Sequence, residues 1–133
     1  MTARRRTDVD LGRAAVVDAL AAIDAGGEPG RTELASATRY LLEELAARAP
    51  GRSVEVRVPP HGVAQCVQGP RHTRGTPPNV VETDAVTWIE LATGRLTWTE
   101  ALTRGRVTAS GGRADLAGYL PLWVAGPESP APT

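Results

Sequence analysis

Residues 83–105 read TDAVTWIELATGRLTWTEALTRG and predict two short helices in succession. Asp84 has the side chain of a helix cap, and we expect the first helix to run from it to about Thr93, before Gly94 ends it. The apolar residues of this helix share one face: Ala85, Trp88, Ile89 and Ala92. Helical spacing of this kind indicates a helix that packs on a core.

The second helix begins at a capping box formed by Thr97 and Glu100. In this motif the Thr hydroxyl accepts a hydrogen bond from the third amide of the helix, and the Glu carboxylate accepts one from the Thr amide. We expect the helix to end near Arg104, before Gly105. Its apolar side comprises Trp98, Ala101 and Leu102.

The chain after Gly105 predicts one more strand and one more helix. Residues 106–110 fit a strand with Val107 and Ala109 facing inward. An amphipathic stretch, residues 113–120, then predicts a short closing helix that Pro121 ends.

The first half of the chain predicts two helices followed by three strands. The helices run from Asp8 or Asp10 to about Asp24 and from Thr32 to about Ala49. In residues 54–58, VEVRV, apolar and charged residues alternate, which is typical of a half-buried strand. Further strands are predicted at residues 63–68 and 80–83, the first of them forming an antiparallel hairpin with 54–58.

These elements predict an α+β fold, in which helices cover a mostly antiparallel sheet of four to five strands. We expect a single domain over residues 8–122. Residues 1–7 and the Pro-rich residues 123–133 are expected to be flexible tails.

Composition excludes several functional classes. The formal net charge is zero and the charged share is 23%, so we expect no nucleic-acid partner. No apolar stretch approaches the length that a membrane span needs, and we expect no stable membrane insertion. The chain has one cysteine, Cys66, which fits a reducing cytoplasm.

No catalytic or metal-binding constellation is recognisable. Cys66 is expected mid-strand, where a thiol finds little to lower its pKa, so it reads as a structural residue. The single cysteine and two histidines, His61 and His72, lack the paired spacing of a zinc site. All 15 basic residues are Arg, so a lysine-containing phosphate loop is impossible. We therefore predict no catalytic residues, no metal and no cofactor.

The second half of the chain resembles the sterol-carrier-protein domains. Residues 83–96 look like the stretch of that family in which a strand ends at an Asp and a helix and a Gly turn follow. Residues 97–105 are similar to its short Ala-containing helix, and residues 106–111 to its strand bounded by glycines. Residues 113–122 match its closing helix in kind, and residues 71–79 look like a bacterial, mainly actinobacterial, variant.

The resemblance covers about residues 32–122. It implies a sheet backed by helices, with an apolar tunnel or groove between them that takes lipid-like or acyl ligands. The long Pro-rich loop and the single short strand before Asp84 imply a smaller sheet than is usual in the family.

Two sets of residues are candidates for ligand binding. The first set lies on the apolar helix faces and belongs either to an ordinary core or to an apolar pocket: Leu41, Leu45, Trp88, Ile89, Trp98, Leu102, Leu116 and Leu120. The second set, Arg71, His72 and Arg74, is cationic and suits an anionic head group. The alternative is that Arg71 and Arg74 bind backbone carbonyls and carboxylates such as Glu82.

Two functions are consistent with these features. The first is a non-catalytic domain that binds or carries a lipid-like or acyl molecule. The second is the same fold without a cavity, which acts as a protein–protein interaction module through a surface around Tyr119, Leu122 and Trp123.

Overall fold

The computed structural model describes residues 7–69 and 79–123. The helices and strands of these residues follow the predicted order: α1 (Val9–Asp24), α2 (Arg31–Arg48), β1 (Val54–Val58), β2 (Gly62–Cys66), β3 (Asn79–Thr83), α3 (Ala85–Ala92), α4 (Trp98–Thr103) and β4 (Val107–Ser110). The α+β class is confirmed. No helix among the described residues is both long enough and apolar enough to cross a bilayer.

The sheet has four strands in the order β2-β1-β3-β4, and it is mixed. β1 pairs with β2 and β3 with β4 in antiparallel fashion, but the central pair of β1 and β3 is parallel, with Val54 opposite Asn79 and Val56 opposite Val81. The expectation of a mostly antiparallel sheet therefore misses its central pairing. β3 lies on the opposite side of β1 from β2, and residues 67–78 between β2 and β3 are numerous enough for a parallel return.

One face of the sheet is buried and the other is exposed. Buried side chains alternate along the strands and point to the helix layer: Val54, Val56, Val58, Cys66, Val81 and Thr83. In that layer α2 packs on β2 and contacts both α1 and α3. Ala109 was expected to face inward, but it is exposed because β4 is an edge strand in which Val107 alone is buried.

The predicted closing helix is wrong. Residues 111–123 form turns without a helix, although Leu116, Leu122 and Trp123 are buried. The Asp115 carboxylate accepts a hydrogen bond from the Ala117 amide at 2.8 Å, and so competes with helical hydrogen bonding. Glycines and Pro121 further disfavour a helix here. We call residues 114–123 the C-terminal strap.

Backbone hydrogen bonds attach the end of the strap to the end of α3. The Leu122 and Trp123 amides both donate to the Ala92 carbonyl, at 2.8 and 3.0 Å. Trp123 was expected to begin a flexible tail, but its burial makes it part of the packed domain.

Candidate ligand-binding groove

Four of the predicted pocket residues lie in the closed core. Leu41, Leu45, Trp88 and Ile89 are fully buried where α2 and α3 meet the sheet. The Trp88 indole N–H donates to the Thr38 carbonyl at 3.3 Å, so this large ring is both packed and hydrogen-bonded. These contacts fit the alternative that the sequence left open, an ordinary core.

A groove lies instead at the corner between α3 and α4. Its volume is about 400 Å³, and we call it the α3–α4 groove. Its lining is mostly apolar or uncharged: Leu91, Thr93, Gly94, Leu96, Thr97, Trp98, Thr99, Ala117, Leu120 and Pro121. Two of the predicted pocket residues, Trp98 and Leu120, are thereby brought together.

Local sequence signals build the first wall of the groove. α3 ends at Ala92 with Thr93 as its C-cap, and Gly94 follows with φ of 83°, a left-handed conformation that glycine adopts without strain. Three residues later the predicted capping box is present: the Glu100 amide donates to Thr97 Oγ1 at 3.1 Å, and the Thr97 amide donates to Glu100 Oε1 at 2.9 Å. Only residues 93–97 therefore separate the two helices, and Leu96 and Trp98 are buried at the corner.

The C-terminal strap forms the opposite wall. Within the strap, Leu116 is fully buried, whereas Ala117, Leu120 and Pro121 line the groove. Most of the lining was not predictable from the sequence, because residues of a turn and of an irregular strap carry no helical periodicity. Leu102, also predicted to line a pocket, is 44% exposed on α4 and lines no part of this groove.

A polar network holds α3 in place beside the groove. The Asp84 carboxylate accepts from the Thr87 amide and hydroxyl, both at 2.8 Å, as expected of a cap. Arg106, just before β4, donates to Thr87 Oγ1 at 3.0 Å and forms an ion pair with Glu90. These side chains bind one another, which assigns them a structural role at the junction of β3, α3 and β4.

A second cleft lies on the outer face of the sheet. It has a volume of about 430 Å³ and is lined by residues of β1, β2 and their turn: Glu55, Arg57, Pro59, Pro60, Gly62 and Val63. Its walls include the Arg57–Glu55 ion pair. It is wide open to solvent, which makes it less suited to shield an apolar molecule than the α3–α4 groove.

Among the described residues, the candidate groups for catalysis are not assembled into a site. Cys66 is fully buried, and desolvation raises the pKa of its thiol to about 11. In residues 7–69 and 79–123, no three His, Cys, Asp or Glu side chains are placed to hold a metal ion. Arg71, His72 and Arg74 lie outside the described residues, so their role as a head-group site stays a prediction.

The surface proposed for protein–protein interaction is exposed only in part. Tyr119 is exposed, but Leu122 and Trp123 are buried against the domain. These three residues therefore do not form one exposed apolar patch.

Comparison with known families places the fold and groove in context. A family model described as a bacterial SCP ortholog matches residues 30–122, from the cap of α2 through most of the strap. The chain belongs to this sterol-carrier-protein-like family. A search of curated proteins found no match.

SCP-like domains are generally non-catalytic carriers of lipids. In this SCP-like domain the matched region contains every residue of the α3–α4 groove. α1 precedes the matched region, yet Val16, Ala19 and Leu20 are part of the same core.

Proposed function

We propose that this domain binds one alkyl or acyl chain in the α3–α4 groove and holds it without catalysing a reaction. The observation that carries the proposal is the groove itself. Its volume of about 400 Å³ falls within the range of small-molecule sites, and five of its lining residues are Leu, Trp or Pro. Membership of a carrier family supports the same function.

The apolar lining supplies the driving force for binding. Burial contributes about 0.8 kcal/mol per methylene, so six buried methylenes would contribute roughly 5 kcal/mol. Association costs at least about 4 kcal/mol, so the net affinity for such a chain is weak and rises with each further methylene that is buried. Weak binding suits a carrier, because the ligand must also be released.

The absence of an activated group among the described residues supports the non-catalytic part. The single thiol is buried with a raised pKa, and Asp84, Glu90 and Glu100 are engaged in caps and an ion pair. The hydroxyl groups of the groove lining belong to Thr93, Thr97 and Thr99, and no His, Cys, Asp or Glu side chain lines the groove beside them to act as a base.

Fluorescence titration with diphenylhexatriene, an uncharged hydrocarbon probe, tests the proposal. We expect saturable one-to-one binding, together with a co-purifying lipid in native mass spectra of protein isolated from its own host. A protein that arrives ligand-free and also fails to bind the probe would refute the proposed function. Recovery of the bound lipid unchanged after long incubation checks that no reaction takes place.

A further inference from the structure

We propose, on the basis of the function above, that the α3–α4 groove selects uncharged chains that carry an oxygen acceptor. Long-chain alcohols and neutral acyl esters have this chemistry, whereas ionised fatty acids do not. The Trp98 indole N–H is the group that binds the oxygen. Two independent observations lead to this specificity.

The first observation is the contrast between the two indoles of the α3–α4 corner. Both rings are buried, but the Trp88 N–H donates to the Thr38 carbonyl, whereas no described residue accepts a hydrogen bond from the Trp98 N–H. In the described part of the chain, Thr38 Oγ1 is the single side-chain polar atom that is both fully buried and without a hydrogen-bond partner. Because Trp98 Nε1 also has no partner and is not such an atom, it must be accessible from outside the core. A Trp that lines a groove with its N–H available combines an apolar surface with one donor.

The second observation concerns charge. No side chain of the groove lining is charged. The three arginines that flank the corner are each paired with a carboxylate: Arg95 with Asp24, Arg104 with Glu100 and Arg106 with Glu90. An anionic ligand therefore gains no unpaired cation from the groove lining or from these three arginines.

Desolvation adds to this preference. A ligand carboxylate in the groove would lose water without a cationic partner in the lining, and this loss weakens binding.

Competition against bound diphenylhexatriene measures the specificity at neutral pH. We use dodecanol, methyl dodecanoate and dodecanoate, each below the concentration at which it aggregates. We expect the alcohol and the ester to displace the probe at similar concentrations, and dodecanoate to require roughly tenfold more. Equal or stronger displacement by dodecanoate would overturn the inference.

The variant Trp98→Phe tests the hydrogen bond itself. It keeps an aromatic ring in the groove and removes the N–H donor. We expect dodecanol to lose roughly three- to tenfold more affinity than diphenylhexatriene, because that probe has no acceptor and loses only its contact with the larger ring. Equal losses for both ligands would show that the ring alone matters.

Two results separate this inference from the proposed function. If the wild-type protein binds no probe, the proposed function fails. If it binds the probe and shows no preference for uncharged chains, only the specificity fails. The double variant Arg71→Ala/Arg74→Ala completes the test: an unchanged ratio between dodecanol and dodecanoate supports the inference, whereas selective loss of dodecanoate would place an anion site in residues 71–74 and overturn it.

Discussion

The guanidinium carbon of Arg13 lies 4.3 Å from the centroid of the Trp123 indole ring. This contact joins α1 to the end of the C-terminal strap, in which Ala117, Leu120 and Pro121 form one wall of the groove. The Trp123 amide is fixed at the same time, because it donates to the Ala92 carbonyl at the end of α3. The strap is therefore anchored from two sides just beyond the groove.

We expect Trp123→Ala to lower the free energy of unfolding by about 3 kcal/mol, because it removes a buried aromatic side chain and leaves a cavity. It should also weaken binding of diphenylhexatriene, since the strap loses its anchor. Urea unfolding and probe titration measure the two effects.

Arg13→Gln is the matched control for that variant, because it removes the cation and keeps most of the side chain. Its expected cost is about 0.5–1 kcal/mol, the usual value of a cation–π contact. If Trp123→Ala changed neither stability nor probe binding, the strap would not be anchored as described.

Local signals predicted much of this fold. Asp8 and Asp84 cap α1 and α3, Thr97 and Glu100 form the capping box, and alternation marked β1 correctly. Each of these features depends on residues within a few positions of one another, so the sequence carries them directly.

Long-range pairing was the part that local patterns could not supply. The parallel contact of β1 with β3 depends on where the chain passes between them, and no periodicity encodes that path. The burial of Trp123 likewise depends on Arg13, which is 110 positions away in the chain. Without those contacts, a Pro-rich terminus reads as a tail.

The candidate site was likewise predictable only in the part that depends on local patterns. Helical spacing predicted apolar faces on α3 and α4, but it could not tell that Trp88 belongs to the core while Trp98 borders a groove. That difference arises from the strap, which packs across the end of α3 and leaves space beside Trp98. Leu102 was misplaced because α4 is six residues long, too short for its spacing to define one buried face.

Filling the groove should abolish ligand binding without unfolding the protein. We propose Ala117→Trp, because Ala117 is exposed and lines the groove, so a larger side chain there occupies ligand space and leaves the core intact. The expected result is at least a roughly tenfold loss of affinity for diphenylhexatriene, with little change in thermal midpoint.

Ala14→Trp is the control for that experiment, since Ala14 is exposed on α1, outside the groove lining. It adds the same ring to the surface and should leave probe affinity unchanged. If Ala117→Trp bound the probe as tightly as the control, the ligand would lie elsewhere.

A glycine sets the distance between α1 and α2. A Cβ added at Gly12 would lie 2.5 Å from Cγ and Cδ1 of the Tyr40 ring, closer than real Cβ contacts allow. We expect Gly12→Ala to destabilise the protein by about 1–3 kcal/mol, as overpacking usually does. The sign is informative, because Ala is otherwise favoured over Gly within helices by about 0.5–1 kcal/mol.

Ala14→Gly in the same helix is the comparison. Ala14 is exposed, so the change should cost only the helix propensity of Ala, about 1 kcal/mol. Urea unfolding of both variants measures the difference. A Gly12→Ala protein more stable than the wild type would show that α1 and α2 are farther apart than described.

Acid should weaken the capping box that starts α4. The Thr97 amide, which donates to the Glu100 carboxylate, is the main cause that lowers the pKa of Glu100, with the Thr97 hydroxyl and Arg104 adding to it. The carboxyl group is thus more acidic in the folded protein than in the unfolded chain. Its contribution to stability is complete above the ordinary Glu pKa and is lost as the pH falls through the lowered value.

We expect Glu100→Gln to keep the cap, since Gln also accepts from the Thr97 amide, but to remove this pH dependence. The difference in free energy of unfolding between wild type and variant should be constant near neutral pH and shrink in acid. Thr97→Ala should instead cost about 1 kcal/mol at neutral pH. A difference that stays constant through the acid range would contradict the assignment.

Asp24 provides the comparison that identifies the cause. Its pKa is also lowered, chiefly by the hydrogen bond from Arg95, so Asp24→Asn should show the same direction of pH dependence. The two sites differ in salt sensitivity, however. Salt screens the exposed Asp24–Arg95 ion pair and should reduce its effect, whereas the main contact of Glu100 is to a neutral amide and should persist. Unfolding curves in low and high salt at each pH therefore distinguish capping from ion pairing.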